Sequence, residues 1–149
     1  MKTSTMKWFF MVMVSGSMLF SCKKEEENNS PACGISLAGL SGSYKLTALQ
    51  YRSGANATPQ DYLASMDDCE KDNILVLNSD GTYDYKDMGT VCTDADNPAH
   101  GTWAVQGNTL TSDGVLNGTV ASYDCKTMVY YIDNAIEKGD RLTYTMVKQ

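Results

Sequence analysis

Residues 74–85 read Ile74-Leu75-Val76-Leu77-Asn78-Ser79-Asp80-Gly81-Thr82-Tyr83-Asp84-Tyr85. Two runs of apolar, β-branched and aromatic side chains flank four turn formers, and Gly81 can take the positive φ that such a loop requires. The stretch predicts a β-hairpin. The same pattern continues on both sides of it. Upstream, Ser43-Tyr44-Lys45-Leu46-Thr47-Ala48-Leu49 alternates, which puts Tyr44, Leu46 and Ala48 on one face. Downstream, residues 102–105 and 109–111 flank Gln106-Gly107-Asn108, a second hairpin. Residues 127–132 and 141–146 add two more strands, the latter with Leu142, Tyr144 and Met146 facing inward. Residues 60–66 can form a helical turn or two before the acidic cluster Asp67-Asp68-Cys69-Glu70, and residues 134–138 a loop or a helical turn. Asp113-Gly114 and Asn117-Gly118 are both turn signals, and the pattern leaves open which one reverses the chain.

Short strands in sequential hairpins, with no βαβ alternation and no long helix, define an all-β chain. An up-and-down meander that closes on itself removes the exposed edges through which sheets aggregate. The expected fold is therefore a small antiparallel up-and-down β-barrel of about eight strands, with a β-sandwich as the alternative.

The N-terminal segment has a different character. Lys2 and Lys7 precede an apolar run over residues 8–20 that is softened by Ser15-Gly16-Ser17. A membrane-spanning helix needs about 20 apolar residues, so this run reads as the core of a secretory signal peptide over residues 1–21. Leu19-Phe20-Ser21-Cys22 resembles the lipobox of bacterial lipoproteins. That resemblance implies a Cys22 thiol linked to diacylglycerol and an acylated (palmitate-type) new amino terminus. Several chains, each adding about 0.8 kcal/mol per buried methylene, make such an anchor effectively permanent. Lys23-Lys24-Glu25-Glu26-Glu27 looks like the export signal of bacteroidete-type lipoproteins. It implies an outer-membrane protein displayed on the cell surface, the inward-facing leaflet being the alternative. The lipidated cysteine and a flexible tether then span residues 22–38, and the barrel residues 39–149. Such a tether reaches about 20–25 Å.

Loss of residues 1–21 removes two lysines and no acid, so the mature chain is more acidic than the formal net charge of −6 for all 149 residues. A negative balance without a basic patch argues against nucleic acid, whose binding depends on cation-driven counterion release. It argues equally against adhesion to anionic lipid; the membrane is met through the anchor alone. Four cysteines follow the anchor, and in an oxidising compartment they suggest two disulfides with three possible pairings. The preferred set is Cys69–Cys92, closing a hairpin-sized loop, with Cys33–Cys125 stitching the N-terminal approach to a late strand. In the chain-entropy description these contribute about 3.4 and about 4.6 kcal/mol. All three phenylalanines and Trp8 lie in the leader, so the mature aromatics are nine tyrosines and Trp103.

Taken in order, Leu40-Ser41-Gly42-Ser43-Tyr44-Lys45-Leu46, Cys69-Glu70-Lys71-Asp72-Asn73, Leu77-Asn78-Ser79-Asp80-Gly81-Thr82-Tyr83, Cys92 and Gly101-Thr102-Trp103 resemble the lipocalin-like domain of bacteroidete-type lipoproteins. The first Gly-x-Trp expected of that group stands here as Gly42-Ser43-Tyr44. The resemblance covers about residues 38–149 and implies an eight-stranded barrel whose cup holds a small apolar or amphipathic ligand. Trp103, Tyr83, Tyr144 and Leu77 are the expected lining. An interaction or assembly module with a filled barrel and no ligand is the alternative.

Little else in the chain carries chemistry. His100 is the single histidine, so no cluster of several histidines can hold a metal; it can pair with Asp94 or Asp96. Asp94-Ala95-Asp96-Asn97 lacks the glycine and distal glutamate of a calcium loop. No phosphate-binding loop or nucleophile elbow is present, and no spacing singles out a carboxylate pair for glycosidase chemistry. The reading is a binding protein rather than an enzyme, with no metal and no cofactor.

Overall fold

The structure, a computed structural model, describes residues 33–92, 100–113 and 116–149. Its strands are β1 (Gly42–Arg52), β2 (Gln60–Asp61), β3 (Ile74–Leu77), β4 (Thr82–Lys86), β5 (His100–Gln106), β6 (Thr109–Ser112), β7 (Leu116–Tyr123), β8 (Thr127–Asp133) and β9 (Arg141–Lys148). Two four-residue helices accompany them, α1 (Leu37–Leu40) and α2 (Asp68–Lys71). Every neighbouring pair is antiparallel.

Closure depends on β1. One edge pairs with β3, from Gly42↔Leu77 to Lys45↔Ile74, and the other with β9, from Tyr44↔Lys148 to Arg52↔Arg141. Eight strands thus form a closed meander, with β2 added to the far end of β1 through Gln50↔Asp61. The sandwich alternative falls, because β1 and β9 are hydrogen-bonded neighbours in a single sheet.

The hairpin at residues 74–85 forms as its sequence predicts. Asn78 N–H donates to Thr82 O at 2.8 Å, and Gly81 takes φ 85°, a region open to glycine without steric cost. The second hairpin, β5–β6, turns at Gly107 with φ 57°.

One expectation changes and two are sharpened. First, the register of β1 shifts between Leu46 and Ala48, and a bulge reverses side-chain parity. Tyr44 and Leu46 face inward and the next inward residue is Leu49, 7% exposed, in place of Ala48. Second, residues 60–66, expected as a helical turn or two, form the short β2 followed by a single 3-10 helical turn over Leu63–Ser65. Third, the chain reverses between Ser112 and Leu116, which face one another in the ladder, so Asn117 and Gly118 lie within β7. Gly118 serves packing: a Cβ there would meet Tyr130 Cδ2 at 2.8 Å.

Alternate connections gather at opposite ends of the barrel. One end holds α1 and the β3–β4, β5–β6 and β7–β8 turns. Here Leu40 and Tyr44 are wholly buried. Ser36 Oγ caps α1 by accepting from Gly39 N–H, and Tyr44 OH donates to Leu40 O at 2.7 Å. Tyr123 OH and Lys148 Nζ both donate to Gly39 O, at 2.6 and 3.2 Å. Cys33 is bonded to Cys125 in the β7–β8 turn, and Ile35 packs on the core. Residues 33–38, expected as part of the tether, are therefore docked on the barrel as its plug. The opposite end holds the long β1–β3 connection together with β4–β5, β6–β7 and β8–β9.

Candidate ligand-binding cavity

Inward side chains do not fill the barrel. They enclose an apolar cavity of about 430 Å³, within the range of about 300–1,000 Å³ usual for small-molecule sites. Every strand except β2 contributes to its wall or flanks it, and Met66 and Asn73 come from the β1–β3 connection. The cavity therefore opens toward the end opposite α1. The filled interior that the interaction-module alternative required is not present.

All four residues expected to line the cup do so. Leu77 and Trp103 form the floor side, 3% and 4% exposed. Trp103 is fixed by its own indole, since Nε1 donates to Asn78 O at 2.9 Å in the β3–β4 turn. Buried indole N–H groups need such a partner. Tyr83 OH donates to Asp113 Oδ2 at 2.7 Å, and Asp113 Oδ1 accepts from Thr102 N–H at 2.8 Å. The Thr102 amide, followed by the Tyr83 hydroxyl, holds the Asp113 carboxyl below the usual aspartate range. The same bond pushes the Tyr83 phenol up. Tyr144 stacks on Tyr130 with ring centroids 4.6 Å apart and planes 8° from parallel.

Sequence reasoning missed Tyr130, Tyr85, Leu49, Met66 and Met128 as lining residues. Tyr130 and Met128 share parity on β8 and were within reach of the alternation argument. Leu49 was hidden by the β1 bulge, and Met66 by lying outside any strand. Burial pushes the phenols of Tyr130 and Tyr144 upward.

The rim is cross-linked. Cys69 in α2 is bonded to Cys92 in the β4–β5 connection, which establishes the preferred pairing together with Cys33–Cys125. Nearby, Asp72 Oδ2 accepts from Thr90 N–H at 3.2 Å and Asn73 Oδ1 from Met88 N–H at 3.4 Å. Asp67 and Glu70 form a capping box on α2. Two long loops are thereby joined into one lip.

His100 is exposed on β5 opposite Asp84; Asp94, Asp96 and the calcium-like segment lie outside the described residues, as does Cys22. Among the described residues no group of three or more His, Cys, Asp or Glu side chains comes together as a metal site. The wall carries no nucleophile–base pair and no facing carboxylates. What this arrangement can do is exclude water and hold an apolar body.

An eight-stranded antiparallel barrel, plugged at one end and hollow with an apolar wall, is a cup. The lipocalin-like domain family matches residues 40–144, and the chain belongs to that family. A comparison with curated proteins finds no match. At the position of the first Gly-x-Trp, Tyr44 is fully buried and its hydroxyl donates to Leu40 O of α1.

Proposed function

We propose that this protein is a non-enzymatic, lipid-anchored binding protein of the outer membrane, displayed on the cell surface, whose barrel takes up a small apolar or amphipathic ligand. The 430 Å³ apolar cavity carries the binding half of this reading. Ligand uptake should raise the unfolding free energy by about 2.7 kcal/mol at a ligand concentration a hundredfold above Kd, and it should perturb Trp103 emission. Thermal melts against a panel of lipophilic compounds test this; no stabilisation by any of them would refute the cup.

The anchoring half is supported by the Leu19-Phe20-Ser21-Cys22 stretch and the charges after it. Cys22→Ala is expected to shift the protein from the detergent phase to the aqueous phase on phase separation. An unchanged partition would remove the anchor, and protection from protease on intact cells would remove surface display.

A further inference from the structure

The geometry points to an uncharged ligand: the cup accepts neutral amphipaths whose polar group is a hydroxyl, carbonyl or amide, and it rejects carboxylates and sulfonates. This deepens the ligand-binding reading and rests on it. Among the described residues, the cavity wall contains no Asp, Glu, Lys, Arg or His. Its polar groups are neutral, among them the phenols of Tyr85, Tyr130 and Tyr144, whose hydroxyls make no hydrogen bond to another described residue. A ligand hydroxyl or carbonyl can pair with such groups. A buried anion would lose its hydration without gaining a cation, and the loss far exceeds what neutral donors return.

The alternative for an anionic amphipath is to leave its head at the mouth. There it meets a like-charged lip: Asp67, Asp68, Glu70, Asp72, Asp87 and Asp113 stand on the connections at the open end. Lys71 is paired with Asp68 at 3.1 Å. One carboxylate oxygen each of Asp72 and Asp87 is buried with no hydrogen-bond partner among the described residues, so these two oxygens already lack donors. At the closed end Lys148 is engaged by Gly39 O and Tyr123 OH. Lys86, Lys138 and Arg52 also stand at the open end, but they are outnumbered by these six carboxylates, and among the described residues no cation reaches the cavity wall itself.

Two probes that share one ring system separate charge from shape: N-phenyl-1-naphthylamine is neutral, and 8-anilino-1-naphthalenesulfonate carries a sulfonate. Binding is read as energy transfer from Trp103 in the purified full-length chain carrying Trp8→Phe. The neutral probe should bind at least about thirtyfold more tightly than the sulfonate. Decanol should displace it at least about tenfold more effectively than decanoate at neutral pH, with the gap closing as the decanoate itself becomes protonated. Equal binding of the two probes would overturn charge selection and leave the cup intact. Binding of neither would overturn the cup along with it.

Discussion

Asp140 shows how a single side chain organises a loop that the pattern left undefined between β8 and β9. It is 1% exposed. Oδ1 accepts from Ala135 N–H at 2.7 Å, and Oδ2 from Ile136 and Glu137 N–H at 3.0 and 2.6 Å. Burial pushes its carboxyl up; the three backbone amides, with help from the Tyr51 hydroxyl, outweigh this and hold it below the ordinary value. A depressed carboxyl contributes stability that is fully present above the unfolded aspartate pKa of about 3.9 and is lost as pH falls through the lower folded value. Asp140→Asn should therefore lower Tm at neutral pH, because its amide presents N–H groups to N–H donors, and the deficit should shrink below about pH 4. Melts of both proteins across that range check it. A deficit that stays constant with pH would show that the charge is not what matters.

At the level of strands, legibility followed unbroken parity. The β3–β4 and β5–β6 hairpins and the inward face of β9 were readable because alternation runs uninterrupted between distinctive turn residues. That also placed Trp103, Tyr83, Tyr144 and Leu77 in the cup. β7 was not readable. Its second and third residues, Asn117-Gly118, have turn chemistry, and its register slips between Val120 and Ser122, so neither composition nor period marks a strand. The glycine is explained only by what lies above it: Tyr130, on the neighbouring strand, rests over the bare Cα. Gly118→Ala puts a Cβ 2.8 Å from Tyr130 Cδ2 and 3.3 Å from Tyr131 O. The ring must move off its Tyr144 partner, at an expected cost of about 1–3 kcal/mol. Urea denaturation and near-UV circular dichroism of the tyrosines measure the two effects. Unchanged values in both would mean that the ring has room to yield.

Across the whole barrel, the two disulfides divide the work between the ends. Cys33–Cys125 spans a sequence separation of 92 and ties the plug to the β7–β8 turn; Cys69–Cys92 spans 23 and joins the two loops of the lip. Because closure entropy grows with loop length, the first should stabilise by about 4.6 kcal/mol and the second by about 3.4 kcal/mol. Paired serine replacements, compared by denaturant unfolding, should rank in that order. Loss of the lip disulfide should in addition speed ligand release, since it is the covalent tie between the two loops of the mouth. A plug-disulfide variant more stable than the lip variant would contradict the ranking. Pairings of this kind could be anticipated from four cysteines and their spacing, but their location at opposite poles could not, because it depends on closure of β1 onto β9.

That arrangement decides which pole lies nearer the expected anchor. The polypeptide leading back toward Cys22 departs at Cys33, beneath the plug, on the pole farthest from the entrance. A copy held by acyl chains at Cys22 would stand like a bucket gripped by its base, brim toward the medium. Cargo would then arrive from solution or from a neighbouring extracellular protein, and sideways entry from the bilayer would meet only the sealed pole.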